Sequence, residues 1–415
     1  MAVLLRKTTR INRNRHSSKP SKHLEHHHQL QSSQTTTEMP SIKNVLASFA
    51  LAASIASAHP GHDIAHEAAE RRDFLSSVKR SSLAHCSTKL KARGVEARNV
   101  ARRSAQVNKA RAKRALKKRA EDALNTSHNQ TDQGFTECTD AAALFASINS
   151  CVLTPEVTQG PYYVAGEYVR KNVVEEQDGL DIILDYQVID VETCDPVPNV
   201  YLEMWHCNST GVYSGVIANG NGDNSDETNI DKTWLRGIQK TDSDGVAQFE
   251  SLFPGHYTSR ATHIHVMVHT NATLLANHTL GSDNYASHVG QAFFDQDLIS
   301  QVETLEPYAS NTQEITLNED DGILSEELST DGVDPFMEYT LLGDSVSDGL
   351  FAWLAFGINT TVSNSVTPAA YYYKEGGVAN GNSGGAPGGG AGGPPSGMPS
   401  GSPPGSTPSA TSDSE

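Results

Sequence analysis

Positive charge is scarce over most of this chain. Residues 121–415 contain 7 Lys and Arg against 42 Asp and Glu, whereas residues 1–120 contain 25 against 7. An acidic surface repels polyphosphates and anionic lipids, so residues 121–415 are not expected to bind nucleic acid or anionic membranes. The reversed balance before residue 120 indicates that the N-terminal part is a separate segment with a different role.

Long hydrophobic runs are also missing. The apolar run Val45–Ala56 is too short for a transmembrane helix, so no membrane span is predicted. A lysine-bearing segment that starts at Met39 precedes this run, and Ala56-Ser57-Ala58 ends it with the small residues of a cleavage site. Residues 1–58 are therefore interpreted as a leader with a signal peptide, whose real start is Met39. The protein is expected to be secreted into the extracellular space.

Cysteine is sparse, with 5 in 415 residues, a number that suits an exported protein. Cys138 and Cys151 are 13 residues apart, and so are Cys194 and Cys207. These two pairs are the expected disulfides, with Cys86 left over, although spacing alone does not fix the pairing. An exported chain is also expected to be glycosylated, and its sequons are at Asn125, Asn129, Asn208, Asn271, Asn277 and Asn359.

Composition divides the remaining chain into three parts. Residues 59–135 are rich in Ala, Arg, Lys and Glu and are predicted to be a basic helical segment. This segment either packs on the core or is a pro-segment that is cleaved at Lys79-Arg80 or Lys118-Arg119. Residues 376–415 contain 13 glycines and are expected to be a disordered Gly/Pro/Ser-rich tail. The folded core is placed at residues 136–375.

Short runs with β-type composition recur through this core, separated by turn signals. The predicted strands are Ile182–Ile189, Val200–Trp205, Val246–Phe249, Thr262–Val268, Gln291–Phe294 and Glu314–Leu317. They predict an all-β fold, a β-sandwich core with long loops that follows the N-terminal helical segment. The polar stretch from Ala218 to Lys232 is predicted to be one of these loops.

The string from Pro254 to His265 carries the strongest chemical signal. Alternate residues of a strand share one face, so His263 and His265 are expected to point the same way, and the Pro-Gly turn delivers Tyr257 nearby. Two imidazoles beside a phenol form a metal-ligand arrangement. A merely polar strand face, continued by His269, is the alternative interpretation.

Four further patterns add to this string. Gly211-Val212-Tyr213 follows an alternating strand, and Arg260 precedes the two histidines in an Arg-x-x-His-x-His pattern. Thr158–Tyr162 reads Thr-x-Gly-Pro-Tyr, and Gln291–Phe294 reads Gln-x-Phe-Phe. Together and in this order, the motifs resemble those of the intradiol ring-cleavage dioxygenases of the catechol and protocatechuate type, and more closely their secreted fungal members.

The resemblance implies a set of site residues. Ferric iron, Fe(3+), would be held by Tyr213, Tyr257, His263 and His265. Such a hard cation prefers anionic oxygen donors with imidazole as a borderline partner. The resemblance further implies that Tyr257 dissociates and takes a proton from the substrate. For the quaternary structure, the resemblance implies a homodimer as one option.

Other residues are assigned to the substrate by the same resemblance. Arg260 would stabilise negative charge that develops on the ring, and Gln291 would be a second polar group there. Gly160, Pro161 and Tyr162 would contact the substrate. Because Arg260 lies three residues before His263, a regular strand would turn it to the opposite face, so irregular backbone is expected.

The predicted function is therefore that of a secreted non-haem iron(III) dioxygenase. It would use O2 to cleave the aromatic ring of a catechol-type diol between the two hydroxyls and give a cis,cis-muconate-type diacid. The acidic core favours neutral catechols over anionic aromatic acids. The alternative is a non-catalytic secreted β-sandwich protein that binds a metal or a cell-wall polymer.

Overall fold

The computed structural model describes residues 69, 72, 82–114, 150–152 and 160–381, with gaps at 219, 223, 281–284, 287, 330–332 and 363. These residues belong to one unit, residues 56–415. The predicted leader, Cys138 and the tail from residue 382 lie outside the described residues. Among the helices that are described, none is long and apolar enough to cross a membrane.

Strands dominate the described residues. In chain order they are β1 (Ser150–Val152), β2 (Val164–Ala165), β3 (Asp181–Asp190), β4 (Tyr201–Trp205), β5 (Arg236–Lys240), β6 (Val246–Leu252), β7 (His263–His269), β8 (Tyr285–Ala286), β9 (His288–Phe293), β10 (Glu338–Leu341), β11 (Leu350–Ile358), β12 (Asn364–Ser365), β13 (Ala370–Tyr373) and β14 (Gly376–Ala379). The α-helices are α1 (Ser87–Ala92), α2 (Val95–Lys113), α3 (Gln296–Val302) and α4 (Gly322–Leu328).

Two sheets enclose the main core. The first has the order β1-β11-β3-β6, with β10 also paired to β11, and the second has the order β5-β4-β7-β9. Alternate residues of the strands face inward, such as Leu184 on β3, Met204 on β4, Val266 on β7 and Leu354 on β11, and they form one buried apolar cluster. The predicted all-β sandwich is confirmed.

Helix α2 covers the outer face of the first sheet. Its buried residues recur at nearly every fourth position, but Asn99 and Arg103 interrupt the apolar stripe. Asn99 Nδ2 donates to Gln187 Oε1 at 2.8 Å, and Arg103 Nε lies 3.1 Å from Asp185 Oδ1. Buried polar groups are tolerated where they are paired, so matched polar residues on β3 explain the imperfect stripe. Cleavage of the segment 59–135 stays a prediction.

The predicted disulfide between Cys194 and Cys207 is wrong. Cys194 is bonded to Cys86, which precedes α1, and Cys207 is a buried free thiol. The sequence favoured the nearby partner, whereas the fold brings together cysteines 108 residues apart. The apolar cluster of Leu83, Leu90 and Val191 packs around this bond.

Two other predictions about the core need correction. Glu314–Leu317 is irregular, because neighbouring polar side chains take up backbone groups on either side of it: Gln313 N donates to Asn311 Oδ1, and Asn318 N donates to Gln296 Oε1. The fold also continues past the expected boundary at residue 375, since β14 pairs with β13. The remaining predicted strands coincide with β3, β4, β6, β7 and β9.

Removing the Cys86–Cys194 bond is expected to destabilise the protein. A bond that closes a loop of this length restricts the unfolded chain, and its loss lowers the free energy of unfolding by about 2–5 kcal/mol. Urea unfolding of Cys86→Ser should show this loss, and a reductant should lower the free energy of unfolding of the wild type more than that of the variant. Peptide mapping that recovers a Cys194–Cys207 bond from the wild type would contradict the assignment.

Candidate metal centre

Strand β7 turns its two predicted ligand histidines away from the sandwich core. Ile264 and Val266 face inward, so His263 and His265 lie on the outer face of the second sheet. Both imidazoles are buried, and their Nε2 atoms are 3.1 Å apart. The His265 ring stacks on Trp205 of β4, its cross-strand neighbour, at 4.9 Å between centroids.

The turn before β7 brings Tyr257 to the same place. Its hydroxyl lies 3.3 Å from His263 Nε2. Gly255 is needed in this turn, because a Cβ there would lie 2.5 Å from the carbonyl oxygens of Asn208 and Ser209. The turn thus packs directly on the loop that leads to the second tyrosine.

Tyr213 is fixed through its backbone. Its N–H donates to Asn221 Oδ1 at 2.6 Å, and its carbonyl accepts from Asn221 and Asn229, each at 2.8 Å. Its ring centroid lies 5.6 Å from that of Tyr257 and 6.1 Å from that of His265. The structure therefore brings the four predicted ligands together, while their binding of iron stays a prediction.

The donors suit a hard, highly charged cation. Burial raises the pKa of Tyr213 well above its usual value, and the Tyr257 phenol adds to this shift. Burial also raises the pKa of Tyr257, and burial and then the Arg260 charge lower that of His263. Without a cation, burial thus favours the neutral forms of Tyr213, Tyr257 and His263, and a trivalent ion would favour the phenolates.

Two details of hydrogen bonding fit such an ion. Within the described part of the chain, the buried Tyr213 hydroxyl makes no well-formed hydrogen bond and interacts with the Tyr257 phenol. His263 Nδ1 lies 2.7 Å from the Ala261 carbonyl oxygen, so this nitrogen donates and Nε2 keeps its lone pair for a ligand bond. These residues therefore fit ferric iron with two phenolate oxygens and two imidazole nitrogens.

A second cluster of metal-type residues does not compete with this one. Among the described His, Cys, Asp and Glu side chains, one group of three lies close enough to share a metal ion: His85, Cys86 and Cys194. The two sulfurs of that group are joined in the disulfide, so they cannot act as thiolate ligands.

Arg260 reaches the site because the backbone before β7 is irregular, as expected. Ser259 has a φ of 73°, and Arg260 N donates to the Tyr257 carbonyl in a tight turn. The Arg260 guanidinium is fully buried and donates to the Gln291 side-chain oxygen. Gln291 lies opposite His265 on β9, so the two side chains share one face.

Asp321 is a site residue that the sequence analysis missed. Its Oδ2 accepts from Arg260 Nε at 2.8 Å and from Ala261 N at 2.7 Å. Its Oδ1 caps α4 by accepting from Ile323 N and Leu324 N. The sequence analysis predicted no helix after Asp321 and so gave no sign of the cap, and the ion pair joins residues that are 61 positions apart.

Arg236 is a second missed residue. Its guanidinium lies 6.0 Å from the Tyr213 ring centroid, and its Nη2 donates to the Ser214 carbonyl at 2.6 Å. Glu167 is 3.8 Å away, and burial raises the pKa of this carboxyl to about 8. A buried cation so placed favours the phenolate form of Tyr213.

A cavity of about 610 Å³ lies over the tyrosines. Tyr162, one of the three predicted substrate residues, lines it together with Tyr257. The Tyr162 ring stacks on Tyr213 at 4.7 Å, and its buried hydroxyl has no hydrogen-bond partner among the described residues. Gly160 and Pro161 precede Tyr162 in the chain but are not among the described lining residues.

Nearby residues with other roles are His206, His256 and Asn208. His206 is hydrogen-bonded to Ser251 Oγ at 2.8 Å, and His256 to Glu303 at 2.9 Å. Both histidines therefore have structural roles. The Asn208 side-chain oxygen accepts from two backbone N–H groups, and its nitrogen donates to Gln177. A glycan on this sequon would be attached to the nitrogen that donates to Gln177.

The known proteins with similar sequences are named as dioxygenases. A family model described as Dioxygenase matches residues 158–324. Catechol 1,2-dioxygenase 1 of Acinetobacter lwoffii is 28% identical over 29% of this chain and 43% of its own length. Catechol 1,2-dioxygenase of Acinetobacter baylyi is 36% identical over 15% of this chain and 21% of its own length. This chain thus spans less than half of each of these two curated relatives.

A solved structure extends the comparison over the whole of another protein. The intradiol ring-cleavage dioxygenase from Tetranychus urticae is 30% identical, with a match that covers 51% of this chain and 96% of that protein at a TM-score of 0.40. The family model and this identity over almost the full length of a relative agree with the site residues. The chain belongs to the intradiol ring-cleavage dioxygenases.

Proposed function

We propose that this protein is a ferric dioxygenase that cleaves the ring of a catechol-type diol between its two hydroxyls. The bond between the two hydroxyl-bearing carbons breaks, and both atoms of O2 end in the two carboxyl groups of a cis,cis-muconate-type product. The observation that carries the proposal is the meeting of Tyr213, Tyr257, His263 and His265 in one buried cluster beneath a cavity.

Fe(3+) held by these four side chains would supply the Lewis acidity that favours deprotonated phenols and the redox partner for the reaction of the ring with O2. The two tyrosines then differ in role. Tyr257 lines the cavity, whereas Tyr213 lies behind Tyr162 and is held by two asparagines. Tyr257 is therefore the phenol that takes a proton from the substrate, and Tyr213 stays in place.

Arg260 provides positive charge beside the reacting ring. Its ion pair with Asp321 and its hydrogen bond to Gln291 hold the guanidinium in one orientation. Such a pre-oriented cation in a buried site stabilises the negative charge that develops on the substrate.

We also propose that the protein is exported. The signal-type segment that begins at Met39 supports this location. The Cys86–Cys194 disulfide supports it as well, because such bonds persist in oxidising compartments.

Colour tests the ligand assignment. Iron-bound tyrosinate absorbs visible light, so the iron-loaded protein should be red-brown, and Tyr213→Phe should lose most of this absorbance at equal iron content. Tyr186→Phe is the matched control, because it removes a buried phenol from the sandwich core and should leave the spectrum unchanged. A colourless wild type with full iron occupancy would favour the non-catalytic metal-binding β-sandwich.

Turnover tests the role of Tyr257. Tyr257→Phe removes the proton acceptor but leaves three ligands, so iron is largely retained while kcat on a diol falls by about 10²–10⁴-fold. The measurement is oxygen uptake at matched iron content. Unchanged turnover in this variant would show that another group takes the proton.

The charge of Arg260 can be removed without leaving an unpaired buried ion. The double variant Arg260→Gln with Asp321→Asn is neutral, and we expect kcat to fall by about 10²–10³-fold. Arg260→Lys keeps the charge and should retain more activity than the double variant. If the neutral pair has wild-type kcat with an intact iron spectrum, charge stabilisation by Arg260 is not part of the mechanism.

A further inference from the structure

The cavity is larger than a simple catechol requires. Its volume of about 610 Å³ falls in the range of about 300–1,000 Å³ that is common for drug-sized ligands. Its inner end includes Tyr162 and Tyr257, and its outer end includes the exposed residues Thr258, Ser310 and Thr312. A ring bound at the two tyrosines therefore leaves room for a substituent that extends toward solvent.

The described part of the cavity wall is uncharged. The described residues that line it are tyrosines, glycines, one valine, and hydroxyl and amide side chains such as Thr210, Asn311 and Gln313. The nearby cation Arg260 is paired with Asp321, and no Lys or Arg is among the described lining residues. A carboxylate on the substrate would lose water here without gaining a cationic partner.

The acidic residues of this part of the chain also disfavour an anionic substrate. The segment that forms the outer end of the cavity is flanked by acidic residues, Glu303 and Glu306 before it and Glu314, Glu319 and Asp320 after it. Over residues 121–415 only 7 Lys and Arg stand against 42 Asp and Glu. An anionic substrate is therefore repelled at long range by the acidic charge of residues 121–415.

One polar group at the inner end still needs a partner. The Tyr162 side chain is 1% exposed, and among the residues that the structure describes its hydroxyl has no hydrogen-bond partner. An unsatisfied buried donor is unfavourable, and a ligand oxygen would satisfy it. The two diol oxygens would bind the iron, so the acceptor that we assign to Tyr162 is a third oxygen of the substrate.

We propose that this site selects uncharged catechols that carry an additional oxygen-bearing substituent, such as a hydroxyl, ether or ester, and discriminates against catechols that carry a carboxylate. This inference rests on the proposed function and assigns the substrate class of the same site. Tyr162 donates to the substituent oxygen, and the neutral wall accommodates the rest of the group.

A matched pair of substrates tests the charge preference. 3,4-Dihydroxybenzoate and its methyl ester share the ring and the diol but differ in charge at neutral pH. We expect kcat/KM of the iron-loaded protein to be at least about tenfold higher for the ester than for the acid. Anaerobic titration should give a lower Kd for the ester than for the acid. Comparable values for the acid and the ester would overturn the proposal.

A variant of the cavity wall sharpens this test. Thr258→Lys places a cation at the outer end, so it should reduce the ratio of kcat/KM for the ester over the acid, whereas the neutral Thr258→Gln should not.

The benzyl ester tests the available space and should be used about as well as the methyl ester. A steep loss of kcat/KM with ester size would contradict an extended substrate. If no diol of the panel is turned over, the proposed function itself fails, whereas efficient cleavage of the acid refutes only the preference.

The role of Tyr162 has its own pair of probes. 1,2,4-Trihydroxybenzene and 4-methylcatechol differ in whether the substituent has an oxygen. Tyr162→Phe should lower the ratio of kcat/KM for the first over the second by about tenfold, with the same change in anaerobic Kd. An unaltered ratio would show that Tyr162 does not bind the third oxygen.

Discussion

Strand β7 is buried on both faces, and the site depends on this. One face contributes Ile264 and Val266 to the sandwich core, and the other presents His263 and His265 beneath the loops that carry the tyrosines. A strand whose two faces are both enclosed has little freedom to twist or slip, because a shift by one residue would place imidazoles in the apolar core. The imidazoles are therefore fixed in position by the packing of the sandwich.

Enclosure also determines the electrostatics. Burial raises the pKa of both tyrosine phenols and lowers that of His263, so it disfavours the charged forms of these three groups unless a cation is present. Arg236 beside Tyr213 and Arg260 near Tyr257 offset part of this cost for the phenolates. Each guanidinium is held by a backbone carbonyl or a carboxylate, so neither depends on solvent for its position.

Local patterns in the sequence predicted the ligands but not the residues that orient them. Tyr213, Tyr257 and the His263–His265 pair lie in short motifs whose spacing is meaningful on a strand or a turn, and the irregular backbone at Arg260 followed from its offset of three residues. Asp321 joins Arg260 across 61 residues, and Cys86 joins Cys194 across 108, and no local pattern encodes such contacts. Strand β11 was missed for another reason, since a strand buried along its whole length has no alternation to detect.

The two outer faces of the sandwich are covered by different elements, and only one of them carries the site. Helix α2 covers the first sheet through Asp185 and Gln187, while the loops around Tyr162 and Tyr213 cover the second sheet and form the cavity. The apolar core between the sheets keeps these two sets of contacts on opposite sides of the sandwich. Substitutions in the α2 contact should therefore alter the free energy of unfolding without changing the selectivity among diols. Changes at the Tyr162 end of the cavity should alter selectivity while leaving the paired charges under α2 intact.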